Sequence, residues 1–333
     1  MNYYPKIKNI EKAAHLIRTL FSPTPLIYHN DISCKYFSNI FLKREDLTPV
    51  RSYKIRGAFN KINSLKNKNG IVTCSAGNHA QGVAFSCNKL KIHGDIFIPK
   101  ITTKQKIDKI NKFGGKFIKI FQEGNNFDDC FEISKQYSLD NSKDFIHPFD
   151  DEKIIEGQGT VGLEIIQQLI ASNISLDYLF LPIGGGGLAS GVSTFVRDFS
   201  PFTSIIGVES TGAPSMYESF KHNKIIRLDQ IDNFVDGASV RRVGNLNFPI
   251  CKINLDDIIL IDEGHVCSKI IEMYNEHGLI IEPAGVLSLC ALDIMKNKIK
   301  NKNVVSIVSG SNSDFSRNIE IIKRSSIYEE SIR

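Results

Sequence analysis

The sequence predicts an α/β fold, because short apolar runs alternate with longer amphipathic stretches along most of its 333 residues. The apolar runs are bounded by glycine, proline or asparagine and have the length of buried strands. They lie at 40–45, 70–76, 94–100, 116–121, 176–183, 204–210 and 303–310. The segments between them predict helices over 54–66, 78–90, 103–113, 126–138, 156–171, 187–199 and 266–278. Strands separated by helices of this length predict open, mostly parallel sheets with right-handed crossovers.

The first of these helices is predicted to begin at a lysine. In RSYKIRGAFNKI (51–62) the apolar residues after Tyr53 recur at three- and four-residue steps, which places Lys54 in the first helical turn. A cation there meets the positive end of the helix dipole, which costs roughly a few tenths of a kcal/mol and favours the neutral amine. Spacing alone does not separate a solvated lysine from a nucleophile. The position favours the nucleophile and predicts an amine that is neutral at pH 7.

A polar loop is predicted between the second strand and the second helix. SAGNHAQG (75–82) places Ser75, Gly77, Asn78 and His79 at this junction. A helix cap needs one such residue, whereas this loop offers several polar side chains and free N–H groups. We therefore predict that the loop binds a carboxylate. The structural alternative is a simple N-cap.

The strongest local motif is LFLPIGGGGLASG (179–191), an apolar strand followed by four glycines and a helix. Glycine loses more backbone entropy on folding than any other residue, so four in succession indicate a function. The backbone N–H groups of Gly184, Gly185, Gly186, Gly187 and Leu188 can converge on an anion at the helix N-terminus. The motif predicts a phosphate site, with a structural tight turn as the alternative. The Walker lysine is absent, which disfavours nucleotide hydrolysis.

The same glycines are also consistent with a dinucleotide-binding fold. Gly184, Gly186 and Ala189 fit G-x-G-x-x-[GA], and Glu209 ends the next strand about 20 residues later. This segment alone does not reject an NAD-dependent dehydrogenase. Against that reading, the motif follows more than 150 residues that carry their own strand–helix–strand pattern. It also gives no role to Lys54 or to SAGNH.

A hydroxyl group completes the set of candidate residues. Ser309 ends the last apolar strand, in SGSNSD (309–314), and by itself is equally consistent with a turn residue. Together the motifs supply a lysine that can form an imine, a phosphate site, a carboxylate loop and a hydroxyl at a strand end. Pyridoxal phosphate requires these groups from a protein. We therefore predict this cofactor and a small amino-acid substrate.

Composition disfavours several other classes of protein. The net charge of +5 is scattered, and no basic stripe is interleaved with aromatic residues, so no nucleic-acid partner is predicted. No apolar run approaches about 20 residues and the N-terminus lacks a signal-peptide pattern, which predicts a cytoplasmic protein without a membrane partner. The seven cysteines are at least 13 residues apart and the histidines form no HxH or HxxxH pair, so no local metal site is predicted.

The motifs also carry a resemblance to a known family. SYKIRGAFNK, SAGNHAQGVAFS, EGQGTVGLEI, PIGGGGLASG, EPAG and SGSN occur in the order and at the spacing seen in threonine dehydratases. From about residue 5 to residue 328 the chain resembles the catalytic part of those enzymes. The resemblance implies a fold-type II pyridoxal phosphate enzyme, similar to the tryptophan synthase β chain, with the cofactor in a cleft between two α/β domains. The large domain would comprise 1–45 and 151–333, and the inserted small domain 46–150.

The resemblance also implies a role for each candidate residue. Lys54 would carry the cofactor as an imine, and its freed amine would act as the base at the substrate Cα. Tyr53 would lie against the cofactor ring, Asn78 would bond the ring hydroxyl and Ser309 would face the ring nitrogen. The phosphate would be bound by the N–H groups of Gly184, Gly185, Gly186, Gly187 and Leu188. The substrate carboxylate would be bound by Ser75, Gly77, Asn78 and His79.

The activity that the resemblance implies is β-elimination and deamination of L-threonine to 2-oxobutanoate and ammonia, and of L-serine to pyruvate. A neutral hydroxyl at the ring nitrogen leaves the cofactor a weaker electron sink, which favours elimination over transamination. Ala76 stands where similar racemases carry an acid/base serine, which disfavours racemisation. Of the acidic cation ligands in those racemases only Glu209 is present, beside Ala213 and Ser215, so no tight divalent site is predicted.

Segments such as FVDGASVRRVGN and YNEHGLIIEPAG resemble the biosynthetic branch, which performs the first step of isoleucine biosynthesis. A catabolic threonine/serine dehydratase is the alternative; the dehydrogenase and a non-catalytic α/β module that binds a ligand are more remote. The sequence stops at RSSIYEESIR, where long regulated forms continue. This predicts that a C-terminal regulatory domain and inhibition by isoleucine are absent. The family also implies a homodimer or homotetramer.

Overall fold

The computed structural model describes residues 3–66 and 69–332. Within these ranges it contains ten strands, and each of the seven predicted runs overlaps one of them. The strands are β1 (Leu26–Tyr28), β2 (Asn39–Arg44), β3 (Ile71–Cys74), β4 (Gly94–Ile98), β5 (Ile118–Gln122), β6 (Asp144–Phe145), β7 (Tyr178–Pro182), β8 (Ser204–Ser210), β9 (Asp257–Ile261) and β10 (Asn303–Val308).

Thirteen α-helices lie in the same ranges, and each of the seven predicted helices overlaps one of them. The helices are α1 (Ile7–Ile17), α2 (Asn30–Tyr36), α3 (Lys54–Asn63), α4 (Asn78–Leu90), α5 (Lys104–Gly114), α6 (Phe127–Asp140), α7 (Glu152–Ala171), α8 (Gly187–Phe199), α9 (Ser215–Lys221), α10 (Asn247–Asn254), α11 (Glu263–His277), α12 (Pro283–Met295) and α13 (Asn318–Ser331). In this part of the chain no helix combines the length and the apolar character needed to cross a membrane.

The strands form two sheets, which confirms the predicted α/β fold with mostly parallel strands. The six-stranded sheet has the order β1-β2-β10-β7-β8-β9, and β1 is its antiparallel strand. The four-stranded sheet has the order β5-β4-β3-β6 and is parallel. Because β10 lies between β2 and β7, the loops that follow these three parallel strands emerge at the same edge.

Three of the elements that the sequence did not predict, β1, β6 and α12, have clear physical reasons. β1 and β6 contain three and two residues, too few for a periodic pattern. α12 is buried along almost its whole length, from Pro283 to Met295, and therefore lacks the polar face that marks an amphipathic helix. A helix that is apolar on all sides cannot be separated from a buried strand by periodicity alone.

Close helix packing fixes the position of α3. This helix packs against both α4 and α7, and α7 also packs against α8. Gly57 of α3 meets Gly157 of α7 so closely that a Cβ on Gly157 would lie 2.6 Å from the Gly57 Cα. Gly82 of α4 permits a similar approach, since a Cβ there would lie 3.1 Å from the Lys54 carbonyl carbon. The first turn of α3 is therefore held between two helices.

A buried ionic cluster also anchors α3 to its neighbours. Arg56 of α3 forms ion pairs of 2.7 Å with Glu45, just after β2, and with Glu164 of α7. Lys43 of β2 forms a third ion pair of 2.7 Å with Glu164. The four side chains are at most 4% exposed. Such a cluster fixes relative positions, because each charge can remain buried only while its partners stay in place.

Candidate active site

Lys54 begins α3, as the sequence predicts, and lies beside the end of β10. The Tyr53 amide donates a hydrogen bond of 3.2 Å to the carbonyl oxygen of Ser309, and the Ser311 amide donates one of 3.0 Å to Arg51. Between these bonds Ser52 pairs with Gly310 as an antiparallel bridge. The segment that carries the lysine is therefore joined to the loop that carries the serine.

The Lys54 side chain is half-buried. Its Nζ donates a hydrogen bond of 3.0 Å to the carbonyl oxygen of Pro148 and lies 5.3 Å from the centre of the Tyr53 ring. Burial lowers the pKa of Lys54 to about 8, and the Glu282 carboxylate acts in the opposite direction. At pH 7 about a tenth of an amine with this pKa is neutral. The prediction of a neutral amine at pH 7 is therefore corrected, because neutrality predominates only above about pH 8.

The polar loop after β3 offers several unpaired donors. The Gly77 amide bonds its own loop, through Ser75 Oγ at 3.2 Å. In the described part of the chain the amides of Ala76, Asn78 and His79 have no acceptor. The His79 ring contacts the Ile146 carbonyl at 3.1 Å through Nε2, while its buried Nδ1 has no partner among the described residues. Burial and the nearby Lys54 lower the pKa of His79 to about 3, so its ring is neutral.

The four-glycine run is enclosed by packed side chains. A Cβ on Gly185 would overlap the Phe149 ring, and one on Gly187 would lie 3.1 Å from the Phe149 Cβ. A Cβ on Gly186 would lie 2.8 Å from the Asn247 Cβ, and its φ of +94° is in the left-handed region. Glycine is thus required sterically at Gly185 and Gly186, and a side chain at Gly187 would be tightly packed.

The amides of this run remain available to a ligand. Within residues 3–66 and 69–332 the backbone N–H groups from Gly184 to Leu188 have no acceptor. They lie at the N-terminus of α8, where the helix dipole favours negative charge. Free donors at a helix start, in a backbone that admits no side chains, form a site for an anion such as phosphate.

The loop after β10 contributes a hydroxyl. Ser309 is 3% exposed, and its Oγ donates a hydrogen bond of 3.3 Å to the Ala284 carbonyl oxygen. A neutral hydroxyl is the type of partner that the sequence predicts for a ring nitrogen. With the amine, the free amides and the polar loop at the same cleft, the residues present fit pyridoxal phosphate and an amino-acid carboxylate.

Several residues at this cleft had no predicted role. Glu282, the first residue of EPAG, accepts a hydrogen bond of 2.6 Å from Asn78 Nδ2, and Asn312 donates one of 2.8 Å to Asn78 Oδ1. Pro148 and Phe149, which contact Lys54 and the glycine run, were also missed. EPAG and SGSN were recognised as motifs, so the signal was present; what each residue contacts was not predictable.

The fold and this site define a pyridoxal phosphate-dependent enzyme. A family model described as "Pyridoxal-phosphate dependent enzyme" matches residues 17–310, and the chain belongs to this family. The branch within the family follows from individual relatives, which are threonine dehydratases.

Two curated relatives are biosynthetic L-threonine dehydratases named IlvA. The one from Halalkalibacterium halodurans is 47% identical over 327 residues, which cover 97% of this chain and 78% of that protein. The one from Bacillus subtilis is 46% identical over 97% of this chain and 77% of that protein. Among solved structures, the processed form of threonine deaminase isoform 2 from Solanum lycopersicum has a TM-score of 0.90 at 33% identity. That match covers 98% of this chain and 91% of the other.

One other cluster in the described residues resembles a metal site. Glu272, Glu276 and His277, at the end of α11, bring potential ligand atoms within 4.8 Å of one another. However, the two oxygens of Glu272 each pair with a lysine at 2.7 Å, Oε1 with Lys35 and Oε2 with Lys269. These ammonium groups already neutralise the carboxylate and would repel a cation, so we assign no metal to this cluster.

Proposed function

We propose that the protein is a pyridoxal phosphate-dependent threonine dehydratase of isoleucine biosynthesis, which converts L-threonine to 2-oxobutanoate and ammonia. L-Serine would give pyruvate by the same route. The observation that carries the proposal is the position of Lys54, whose amine lies at the meeting point of the glycine run, the polar loop and the loop of Ser309. The identity to biosynthetic relatives favours this assignment over a catabolic dehydratase.

The cofactor would be held by residues of four segments. We propose that Lys54 links it covalently and that the amides of Gly184, Gly185, Gly186, Gly187 and Leu188 bind its phosphate. Asn78 would bond its ring hydroxyl, Ser309 would face its ring nitrogen and Tyr53 would lie against its ring. When bound, pyridoxal phosphate supplies an aldehyde that joins amines and a conjugated ring that takes up the electron pair at Cα.

The substrate would be oriented by the polar loop. We propose that Ser75, Gly77, Asn78 and His79 bind the threonine carboxylate, which the unpaired amides of this loop support. The neutral His79 ring adds no positive charge, so backbone N–H groups are the principal donors. This contact fixes one end of the substrate, so that its Cα faces the Lys54 amine.

Lys54 would then move the proton that starts elimination. Once the substrate amine has displaced it, the neutral Lys54 amine accepts the Cα proton. The β-hydroxyl leaves as water, and the released enamine regains one water as it hydrolyses to 2-oxobutanoate and ammonia. Because burial lowers the pKa of Lys54 to about 8, the fraction of competent base increases as the pH rises through that value.

The domain boundaries, the cellular location and the oligomeric state are three further proposals. We propose the domain boundaries 45/46 and 150/151, which the confinement of the four-stranded sheet to residues 71–145 supports. We also propose a cytoplasmic homodimer or homotetramer. Exposed Ile27, Tyr28 and Phe37 on and beside β1 favour self-association. Light scattering of the purified protein tests this, and the mass of a monomer would contradict it.

We also propose that the chain has no tight divalent site at Glu209. Its two oxygens accept hydrogen bonds of 2.9 Å from the Met216 amide and 2.8 Å from the Tyr217 amide. The carboxylate thus caps the N-terminus of α9, and both of its oxygens are already bonded to amides. A ligand for a cation would need at least one oxygen directed away from the helix. Unchanged turnover after exhaustive chelation is expected, and activity restored by magnesium or calcium would contradict the proposal.

The function is tested by cofactor trapping and by turnover. Borohydride reduction of the loaded protein should abolish its visible band and leave a pyridoxyl group on Lys54, located by peptide mass spectrometry. Lys54→Ala should lower 2-oxobutanoate formation from L-threonine at least about 10²-fold. Lys61→Ala, on the same helix but paired with Asp151, is the matched control. A Lys54→Ala protein that turned over threonine at the parent rate would exclude the mechanism.

A further inference from the structure

A buried carboxylate lies across the cleft from the polar loop. Glu282 precedes α12 and is 6% exposed. Its Oε1 accepts a hydrogen bond of 2.6 Å from Asn78 Nδ2, and its Oε2 accepts one of 2.9 Å from the Asn312 amide. Asn78 and Glu282 are 204 residues apart in sequence. The contact therefore joins the first residue of α4 to the loops of the six-stranded sheet.

Asn312 closes a ring with the same two residues. Its Nδ2 donates a hydrogen bond of 2.8 Å to Asn78 Oδ1 and one of 2.9 Å to the Val50 carbonyl oxygen. Both ends of the Asn78 amide are thus held from the opposite side of the cleft. Val50 lies four residues before Lys54, so the same ring also contacts the segment that leads into α3.

The ring determines which way the Asn78 amide faces. Its Nδ2 has two N–H donors, of which Glu282 accepts one. If the amide were flipped, Oδ1 would face the carboxylate and Nδ2 would face the Asn312 donor, and both contacts would be repulsive. In the orientation present, the second N–H has no acceptor among the described residues and can serve the ring hydroxyl of a cofactor.

We propose that Glu282 is a positioning residue for the reaction: with Asn78 and Asn312 it forms a clasp that holds the start of α4 closed against Lys54 and orients the Asn78 amide. The proposal rests on the proposed function in one respect, that Asn78 acts on the cofactor ring. The clasp itself, as a contact across the cleft, is independent of the substrate.

The clasp requires the ionised form of Glu282. Both of its partners are donors, and a carboxylate accepts strongly from both, whereas the hydroxyl oxygen of the protonated acid is a much weaker acceptor. Burial and Asp236 raise the pKa of Glu282 to about 7, whereas the bonds from Asn78 and Asn312 and the charge of Lys109 lower it. Tyr53 and Lys54 are the other titratable groups that it influences. The clasp therefore tightens as the pH rises through about 7.

Backbone hydrogen exchange of the cofactor-loaded protein tests the clasp. In Glu282→Gln one oxygen becomes an NH₂ group that faces a donor, so the clasp loses a charge-assisted bond. Within the peptide covering residues 75–82, exchange protection of the hydrogen-bonded amides of the first turn of α4, such as Gln81, whose N–H donates to the Gly77 carbonyl oxygen at 3.2 Å, should fall about 10- to 100-fold at pH 8. In the parent protein the same protection, corrected for intrinsic exchange, should be lower at pH 6 than at pH 8. In Glu282→Gln this difference should disappear.

A second buried glutamate supplies the matched control. Glu263 is 8% exposed and accepts hydrogen bonds of 2.8 Å from Thr211 Oγ1 and from the Gly212 amide, neither of which belongs to the clasp. Glu263→Gln should leave the exchange of 75–82 at the parent level. If Glu282→Gln does not fold, Asn312→Ala, which removes only the side-chain bonds of the ring, should reduce the same protection.

Steady-state turnover then distinguishes a positioning role of Glu282 in the reaction from a purely structural role in packing. With L-threonine, Glu282→Gln should reduce kcat about 10- to 100-fold with a smaller change in KM, because the oriented side-chain amide of Asn78 acts on the cofactor, whereas the substrate carboxylate is bound mainly by backbone N–H groups of the loop. Parent-like exchange and a parent-like pH response in the variant would overturn the proposal. If the parent protein did not turn over threonine, the proposed function would fail while the exchange comparison still decided the clasp.

Discussion

Replacement of Arg56 by methionine should strongly destabilise the protein. The Arg56 guanidinium donates to both oxygens of Glu45, at 2.7 and 2.8 Å, and to both oxygens of Glu164, at 2.7 and 2.8 Å. With Lys43 the formal charges of this buried cluster cancel. The substitution removes one positive charge, so a net charge of −1 stays in a region where water cannot compensate for it.

The magnitude follows from the burial of the partners. Removing one member of a buried ion pair costs about 3–5 kcal/mol, because the remaining charge is left uncompensated. Glu164 keeps its ion pair with Lys43, whereas Glu45 loses both guanidinium bonds. We therefore expect the free energy of unfolding to fall by about 3–5 kcal/mol, a large share of the roughly 5–15 kcal/mol typical of a folded protein.

Urea unfolding followed by circular dichroism measures this loss; the chain has no tryptophan to serve as a fluorescent probe. The control is Arg227→Met, because Arg227 pairs with Asp128 at 2.7 Å while the two side chains are 58% and 42% exposed. That variant should lose less than about 1 kcal/mol. The double variant Arg56→Met/Glu45→Gln removes the uncompensated charge, keeps the Lys43–Glu164 ion pair and should be more stable than Arg56→Met alone. A loss below about 1 kcal/mol in Arg56→Met would refute the reasoning.

Three further predictions concern the glycine run, Lys54 and the loss of folding stability at acidic pH. Gly185→Ala would force a Cβ into the Phe149 ring, so unfolding should show a loss of about 1–3 kcal/mol; parent-like stability would contradict this. Imine formation between the cofactor-free chain and pyridoxal phosphate should accelerate about tenfold from pH 7 to pH 9, as the neutral fraction of Lys54 increases from about a tenth to about nine-tenths; a flat rate would contradict the lowered pKa. Burial acts to raise the pKa of Glu164, but Arg56 and Lys43 lower it to about 2 from 4.5. Its contribution to stability is present above pH 4.5 and is lost as the pH falls through about 2. Glu164→Gln should therefore flatten the loss of stability in that window, and an unchanged slope would count against the ion pairs.

The parts of the site that follow from local pattern were predictable. The spacing of apolar residues after Tyr53 placed Lys54 at the start of α3, where the structure has it. The glycine run was predicted to lie between a strand and a helix, and it joins β7 to α8. Both depend on residues within about one helical turn of each other, which is the range over which periodicity and glycine content carry information.

The pKa of Lys54 depends on more than its position in a helix. The sequence suggested a cause, the positive end of the helix dipole, and a direction, downward. The structure agrees with the direction but supplies burial as the cause and a pKa of about 8 as the extent. Desolvation is set by everything that packs around the amine, including Pro148 and the segments beyond it, so the helix alone could not determine whether the amine is neutral at pH 7.

By itself the sequence determined the α/β fold and the cofactor and singled out Lys54 as the lysine that we propose reacts, because these follow from periodicity and from motifs a few residues long. Only the tertiary structure decided which motifs touch. The strand order places β10 between β2 and β7, which brings Ser309 to Tyr53, and the assembly of the two sheets brings Glu282 and Asn312 to Asn78. Contacts between residues about 200 positions apart depend on how the sheets are assembled, and no local spacing in the chain encodes that assembly.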